Sequence, residues 1–227
     1  MKKILSVLLV LVMAISLIAT FSACGGGTSS NPNGGDSNEN SDPYADLKTA
    51  QIGDYIKFGS FEQGNGKESV EWRILDKQDG KILVISKYIL DYRQYHTEEK
   101  ALDWEDCALR AWLNDDFLNS AFSDEEKAMI ASTFTESFAY DKVFLLSAEE
   151  AEDYLHSDWE RTCTPTEYAD SHCNGRNLDS REWWLRSDTK GYFSFVRDYV
   201  DKNGEIWAHH AEDPSGVRPA MWIDLNA

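Results

Sequence analysis

Nineteen consecutive residues, Gly25 to Pro43 (GGGTSSNPNGGDSNENSDP), hold nothing that can build a core. Proline is their one apolar side chain, so the stretch cannot bury enough surface to offset the entropy of ordering it. It divides the chain into a leader, a tether and a domain. As a flexible coil the run has a root-mean-square span of roughly 24 Å and a maximal reach of about 60 Å. We assign residues 24–48 to this linker, which leaves residues 49–227 to fold. That length is ample for one hydrophobic core.

The leader has the anatomy of an export signal. Lys2 and Lys3 form a short positive start, Ile4 to Ala19 is an apolar run interrupted only by Ser6 and Ser16, and Ser22-Ala23 precedes Cys24. Residues 1–23 therefore read as a signal peptide. Small residues ahead of a cysteine resemble the bacterial lipobox, although Phe21 stands where that motif usually has leucine. In this reading the Cys24 thiol takes a diacylglycerol and Cys24 becomes the first mature residue. An ordinary signal peptide and an uncleaved anchor are the alternatives, since the apolar run approaches the ~20 residues that span a bilayer. All three place the domain outside the cytoplasm; the lipid anchor puts it at the extracytoplasmic face of the cell membrane and makes that membrane the first partner.

Charge narrows the other partners. The chain has 40 acids, 22 bases and a formal net charge of −18, and the leader contains two of the bases and no acid. A nucleic-acid partner needs a basic patch, so this balance argues against one. It also argues against electrostatic docking on anionic lipid.

Within the domain, strand and helix patterns alternate. Asp54 to Ser60 reads as an edge strand, and Val70 to Leu75 with Lys81 to Ser86 as a hairpin turned at Asp79-Gly80. Trp104 to Phe122 carries Leu109, Trp112, Leu113, Phe117 and Leu118 at helical spacing. Ser123 with Glu126, and Ser147 with Glu150, are capping boxes. Lys142 to Leu146 reads as a buried strand. Trp183 to Ser187, Tyr192 to Val200, Glu205 to His209 and Val217 to Leu225 read as strands, with a tight turn at Asn203-Gly204. Strands at both ends flanking short helices predict a single α+β domain of antiparallel sheets whose termini share a sheet.

Six segments then form an ordered series: EWRIL (71–75), LRAWLN (109–114), DKVFLLS (141–147), PTEYA (165–169), WWLRS (183–187) and GVRPA (216–220). The series resembles the secreted bacterial family known as domain of unknown function 6273, over nearly all of 51–225. That family implies no established activity. The closing pair, WWLRS and GVRPA, also resembles the C-type-lectin-like fold in its formylglycine-generating-enzyme variant. This second resemblance implies two or three short helices and a loop-rich ligand face. Those enzymes use a close cysteine pair that binds copper; no such pair lies between the two motifs here, so the oxidase chemistry does not carry over.

No catalytic signature stands out: there is no nucleophile elbow, zinc-protease helix or phosphate loop. Cys163 and Cys173, in an exported chain, read as a disulfide candidate closing a short loop, with Cys107 left as a buried thiol. Cys163, His172 and Cys173 have zinc-ligand chemistry without a zinc spacing. His209 and His210 point to opposite faces of a strand and cannot share a metal. The acidic clusters read as solvated helix faces. We assign no metal, and keep calcium only as the lectin-like option around Asp188 and Asp198 to Asp201. Trp184, Arg186, Asp188, Arg197 and Arg218 are the candidate ligand-binding residues, while Arg186 and Arg218 also read as structural charges that each want a carboxylate or carbonyl partner. The resulting expectation is a non-catalytic cell-surface lipoprotein whose lectin-like domain binds an extracellular glycan, peptide or protein. The alternative is an extracytoplasmic enzyme acting on wall or extracellular polymers.

Overall fold

The computed structural model describes residues 44–98, 103–136, 139–173, 181–188 and 195–227. The leader, Cys24 and most of the linker lie outside them. Two strands from the front of the domain, β1 (Tyr55–Glu62) and β2 (Lys67–Gln78), meander into β3 (Lys81–Ser86). The β2–β3 turn is made by Asp79 and Gly80, both at positive φ (52° and 75°), the conformation that suits a right-twisted two-residue hairpin. β4 (Asp91–Gln94) then leaves for a second sheet, and β5 (Thr133–Glu136) with β6 (Ala139–Asp141) makes a separate hairpin.

The second sheet is completed by β7 (Trp183–Trp184), β8 (Val196–Val200), β9 (Ile206–His210) and β10 (Pro214–Val217), in the order β4-β10-β7-β8-β9. Its pairs are antiparallel except β10 with β7. The last strand, β11 (Ala220–Asp224), returns to the first sheet and pairs antiparallel with β3, giving β1-β2-β3-β11. Strands from both ends of the domain thus share one sheet. The expected single strand over 217–225 is two strands, because Arg218-Pro219 crosses from one sheet to the other.

Short helices fill the gaps: Ala45–Thr49, Ala108–Trp112, Asp124–Met129, Ala148–Tyr154, Asp158–Arg161 and Glu167–His172. These exceed the expected two or three. Both capping boxes form as read, with Ser123 and Ser147 each accepting from the amide three residues on. Ala45–Thr49 corrects the linker boundary: Leu47 is buried and Tyr44 packs on Phe58, and these apolar anchors order a turn that polar composition assigns to the tether.

The helix expected over Trp104–Phe122 is broken. Trp104–Asp106 is a 3-10 turn, Cys107 caps the next helix by accepting from the Arg110 amide, and Leu113–Phe117 widens to a π turn before Leu118–Ala121. The wider turn brings Leu109, Leu113 and Phe117 into one buried row. Asn114 sits in it, donating to the Arg110 and Val143 carbonyls and accepting from the Lys142 and Val143 amides.

Lys142–Leu146 is not a strand either. Its apolar side chains are buried, but only Phe144 bridges a neighbour, Ala220. Side chains replace the missing partner: Asn114 takes the Val143 carbonyl, and Arg186 Nη1 donates to the Leu145 carbonyl at 2.7 Å. Gly204, at φ +88°, lies so close to the Asp158 carbonyl that a Cβ would be 1.7 Å from its oxygen, which explains glycine in this turn.

One buried carboxylate holds four elements together. Asp141, fully buried, accepts from Trp104 Nε1 at 2.8 Å, Arg110 Nε at 2.6 Å and Thr135 Oγ1 at 2.7 Å. Its removal deprives a guanidinium and an indole N–H of this acceptor. Asp141→Ala should lower unfolding free energy by about 3–5 kcal/mol in urea titrations, and a loss within a few tenths would show that the hub is dispensable.

Candidate functional site

A groove of about 480 Å³ lies between the outer edge of β4 and the Ala108–Trp112 helix. Tyr92, Arg93, Trp112, His172 and Glu212 are in its walls. Local sequence explains how Arg93 is held there. Asp91 and Arg93 are two apart on a strand and share a face. The Arg93 Nε donates to Asp91 Oδ2 at 2.9 Å, while Asp91 Oδ1 accepts the Tyr92 amide. Asp91 itself is buried, and the Arg93 side chain is 41% exposed. The guanidinium lies 4.0 Å from the centroid of Trp112, which is braced by Phe61 and Phe117.

The result is a planar cation fixed on an aromatic shelf at the mouth of the groove, a geometry suited to carboxylates and to flat polar groups. Gln94 closes one side by donating to the Glu212 carbonyl at 2.6 Å. On the other side the His172 ring stacks on Tyr168 with centroids 4.2 Å apart. Its Nδ1 lies 2.7 Å from the Tyr168 carbonyl, which can only accept, so the ring donates this bond from Nδ1. The groove thus offers a cation, an imidazole, a carboxylate and two aromatic edges: recognition chemistry for a polar chain.

The residues expected to bind ligand are elsewhere. Trp184 is fully buried, its Nε1 donating to the Arg93 carbonyl. Alternation along WWLRS gives Trp183 and Leu185 one face and Trp184 the other, and β7 is central in its sheet and covered on both, so Trp183, Trp184 and Leu185 are all inaccessible. Arg186 is buried and forks onto Glu150, with Nη2 to Oε1 at 2.8 Å. Arg197 is buried against Asp188 at 3.6 Å and lies over Tyr95. Arg218 is buried too, with Nε on the Ser86 carbonyl. Asp188 alone retains part of its surface, at the side of Arg197. The other four form interior framework, not a ligand face.

The disulfide expectation is also corrected. Cys107, Cys163 and Cys173 are unbridged thiols. Cys163 is buried with its thiol toward the Lys87 carbonyl, which holds it under β3 rather than in a loop with Cys173. Burial pushes the Cys107 thiol up to about 11 and raises that of Cys163 as well. Among the described residues no group of three His, Cys, Asp or Glu side chains is placed to hold a metal. Asp201 instead caps its own turn, accepting the Asn203 and Glu205 amides, and Asp198 is buried with Ser187 on its Oδ2. The two histidines diverge as expected: His209 stacks on Trp184 and against Tyr199, where burial depresses it to about 4, while His210 is exposed beside Phe195.

A family model described as "Domain of unknown function (DUF6273)" matches residues 79–225. The match takes in every motif of the series except EWRIL. No curated protein and no solved structure matches the chain. The α+β class and the antiparallel sheets stand on the structure itself, and nothing compared adds to the lectin-like resemblance.

Thiolate is the reactive form of cysteine, so high pKa and burial both suppress attack. Non-reducing thiol titration of residues 44–227 near pH 8 should give one fast thiol, Cys173. Cys107 should react about a hundredfold more slowly. All three should appear in guanidinium, and a count of one there would restore the disulfide.

Proposed function

We propose, for a chain that belongs to the DUF6273 family, a ligand-binding role at the outer surface of the cell: a lipoprotein anchored at Cys24 that presents its domain on the tether of residues 25–43. The ligand is an extracellular polar chain, peptide or glycan, seated in the groove between β4 and the Ala108–Trp112 helix. No metal or cofactor is needed for this.

One observation carries the reading. Arg93 is pinned by Asp91 and stacked on Trp112, yet retains two-fifths of its surface at the groove mouth. Such a guanidinium is pre-organised, so a carboxylate or planar amide meets it without the usual entropic cost of ordering a long side chain. The acidic character of the rest of the chain makes this cation a local exception that discriminates ligands by charge. The leader, the lipobox-like cysteine and the polar tether support the extracytoplasmic location.

The test is a screen of the purified protein on arrays of wall and host glycans and peptides, followed by affinity measurement on whatever binds. Arg93→Ala should weaken binding by about tenfold, and Arg93→Lys should restore only part of it, because an ammonium cannot fork. A confirmed ligand whose affinity ignores both substitutions contradicts the assignment of the groove.

A further inference from the structure

Arg218 is a buried cation that the fold does not neutralise. It is 4% exposed. Its Nε donates to the Ser86 carbonyl at 3.0 Å and its guanidinium lies 5.0 Å from the centroid of Trp183. Its Nη1 is buried without a hydrogen-bond partner, and among the described residues no carboxylate pairs with it. The other buried arginines differ in this respect: Arg161 has Asp158, Arg186 has Glu150 and Arg197 has Asp188. An uncompensated buried charge is costly, and structures that retain one commonly use it.

What lies beside Arg218 gives the use. Ser86 leads into Lys87, whose side chain, with Tyr55, Tyr88, Thr164, Arg181 and Lys202, lines a cavity of about 360 Å³. Cys163 is also in its wall, bonded to the Lys87 carbonyl, and feels the charge of Arg218. Lys87 is centred over two rings, 5.3 Å from Tyr55 and 5.0 Å from Tyr88, and is paired with Glu71 at 2.8 Å. Among the described residues that line this cavity three are cations and none is an acid, in a chain with 40 acids and 22 bases. The cavities at Trp112, Trp222, Tyr44 and Gln63 each have a carboxylate in the wall.

We propose that the Lys87–Arg181–Lys202 cavity is a second binding site, for a phosphate or carboxylate group carried on a sugar or polyol. The surface cations meet the oxyanion, the Thr164 hydroxyl donates to it, and buried Arg218 supplies positive potential from behind. Tyr55, which is 53% exposed, offers an aromatic face for the carrier. Lys87 then shares its ammonium between Glu71 and the ligand. The site is separate from the Arg93 groove and does not depend on it.

The experiment titrates the full-length chain, in non-ionic detergent at low ionic strength, with sn-glycerol 3-phosphate and D-glucuronate, using glycerol and D-glucose as neutral controls. At least one anion should bind saturably and neither neutral compound should. Binding by the phosphate alone identifies a polyol phosphate as the source, and binding by the uronate alone an acidic sugar. Arg181→Gln and Lys202→Gln, both at exposed positions, should each weaken binding about fivefold. Added salt should weaken it further. Arg93→Ala should leave it unchanged, so failure here and failure of the groove are told apart. Equal uptake of neutral and charged compounds, no saturable anion binding, or parental affinity in both glutamine variants overturns the proposal.

Discussion

The pairing of β11 with β3 is the contact on which the remaining architecture hangs. Five residues, Ala220 to Asp224, align with Lys81 to Ile85, so the end of the chain is laid against the hairpin formed at its beginning. Two further bridges fasten the same strand: Ile223 to Ile130 and Ala220 to Phe144. One strand therefore collects the meander, the helix that ends at Met129 and the extended KVFLL segment. The contacts are far apart in sequence, so closure entropy must be met before any of them is rewarded.

That closure also fixes where charge resides. Pro219 and Arg218 lead from β11 into β10, and the Ser86 amide bonds the Pro219 carbonyl while the Ser86 carbonyl takes Arg218 Nε. The crossing between sheets thus buries a guanidinium under Lys87. Elsewhere the molecule matches interior cations with acids from other elements, as Asp141 does for Arg110 and Glu150 for Arg186. Cationic surface groups meet aromatic rings, Arg93 on Trp112 and Lys87 between Tyr55 and Tyr88. Both of these cations adjoin cavities.

Local chemistry was legible in the residues. Asp-Gly made its hairpin, two Ser-x-x-Glu boxes made their helix starts, and the six motifs led to the family. The continuous apolar run of β3 made a strand, and both of its faces are covered. What the sequence hid came from long-range side chains. Asn114 opens a π turn by reaching Val143, and nothing in LRAWLN reveals that. KVFLL has every mark of a strand, yet Arg186 and Asn114 serve as its partner. The arginines of WWLRS and GVRPA read as structural charges seeking a carboxylate or carbonyl partner, or as anchors for an anionic ligand; burial makes them framework, with Arg186 on Glu150 and Arg218 on the Ser86 carbonyl. Arg93 belongs to none of the motifs, although Asp91 and Arg93, two apart in a strand, already place opposite charges on one face.

Native-state hydrogen exchange tests the closure directly. If β11 and β3 form one cooperative unit, the amides of Met221 and Ile223 and those of Ile82 and Val84 exchange only through global unfolding, with the same free energy and the same denaturant dependence. Exchange of these four amides through a smaller, local opening, while the amides between β2 and β3 stay protected, would contradict the account.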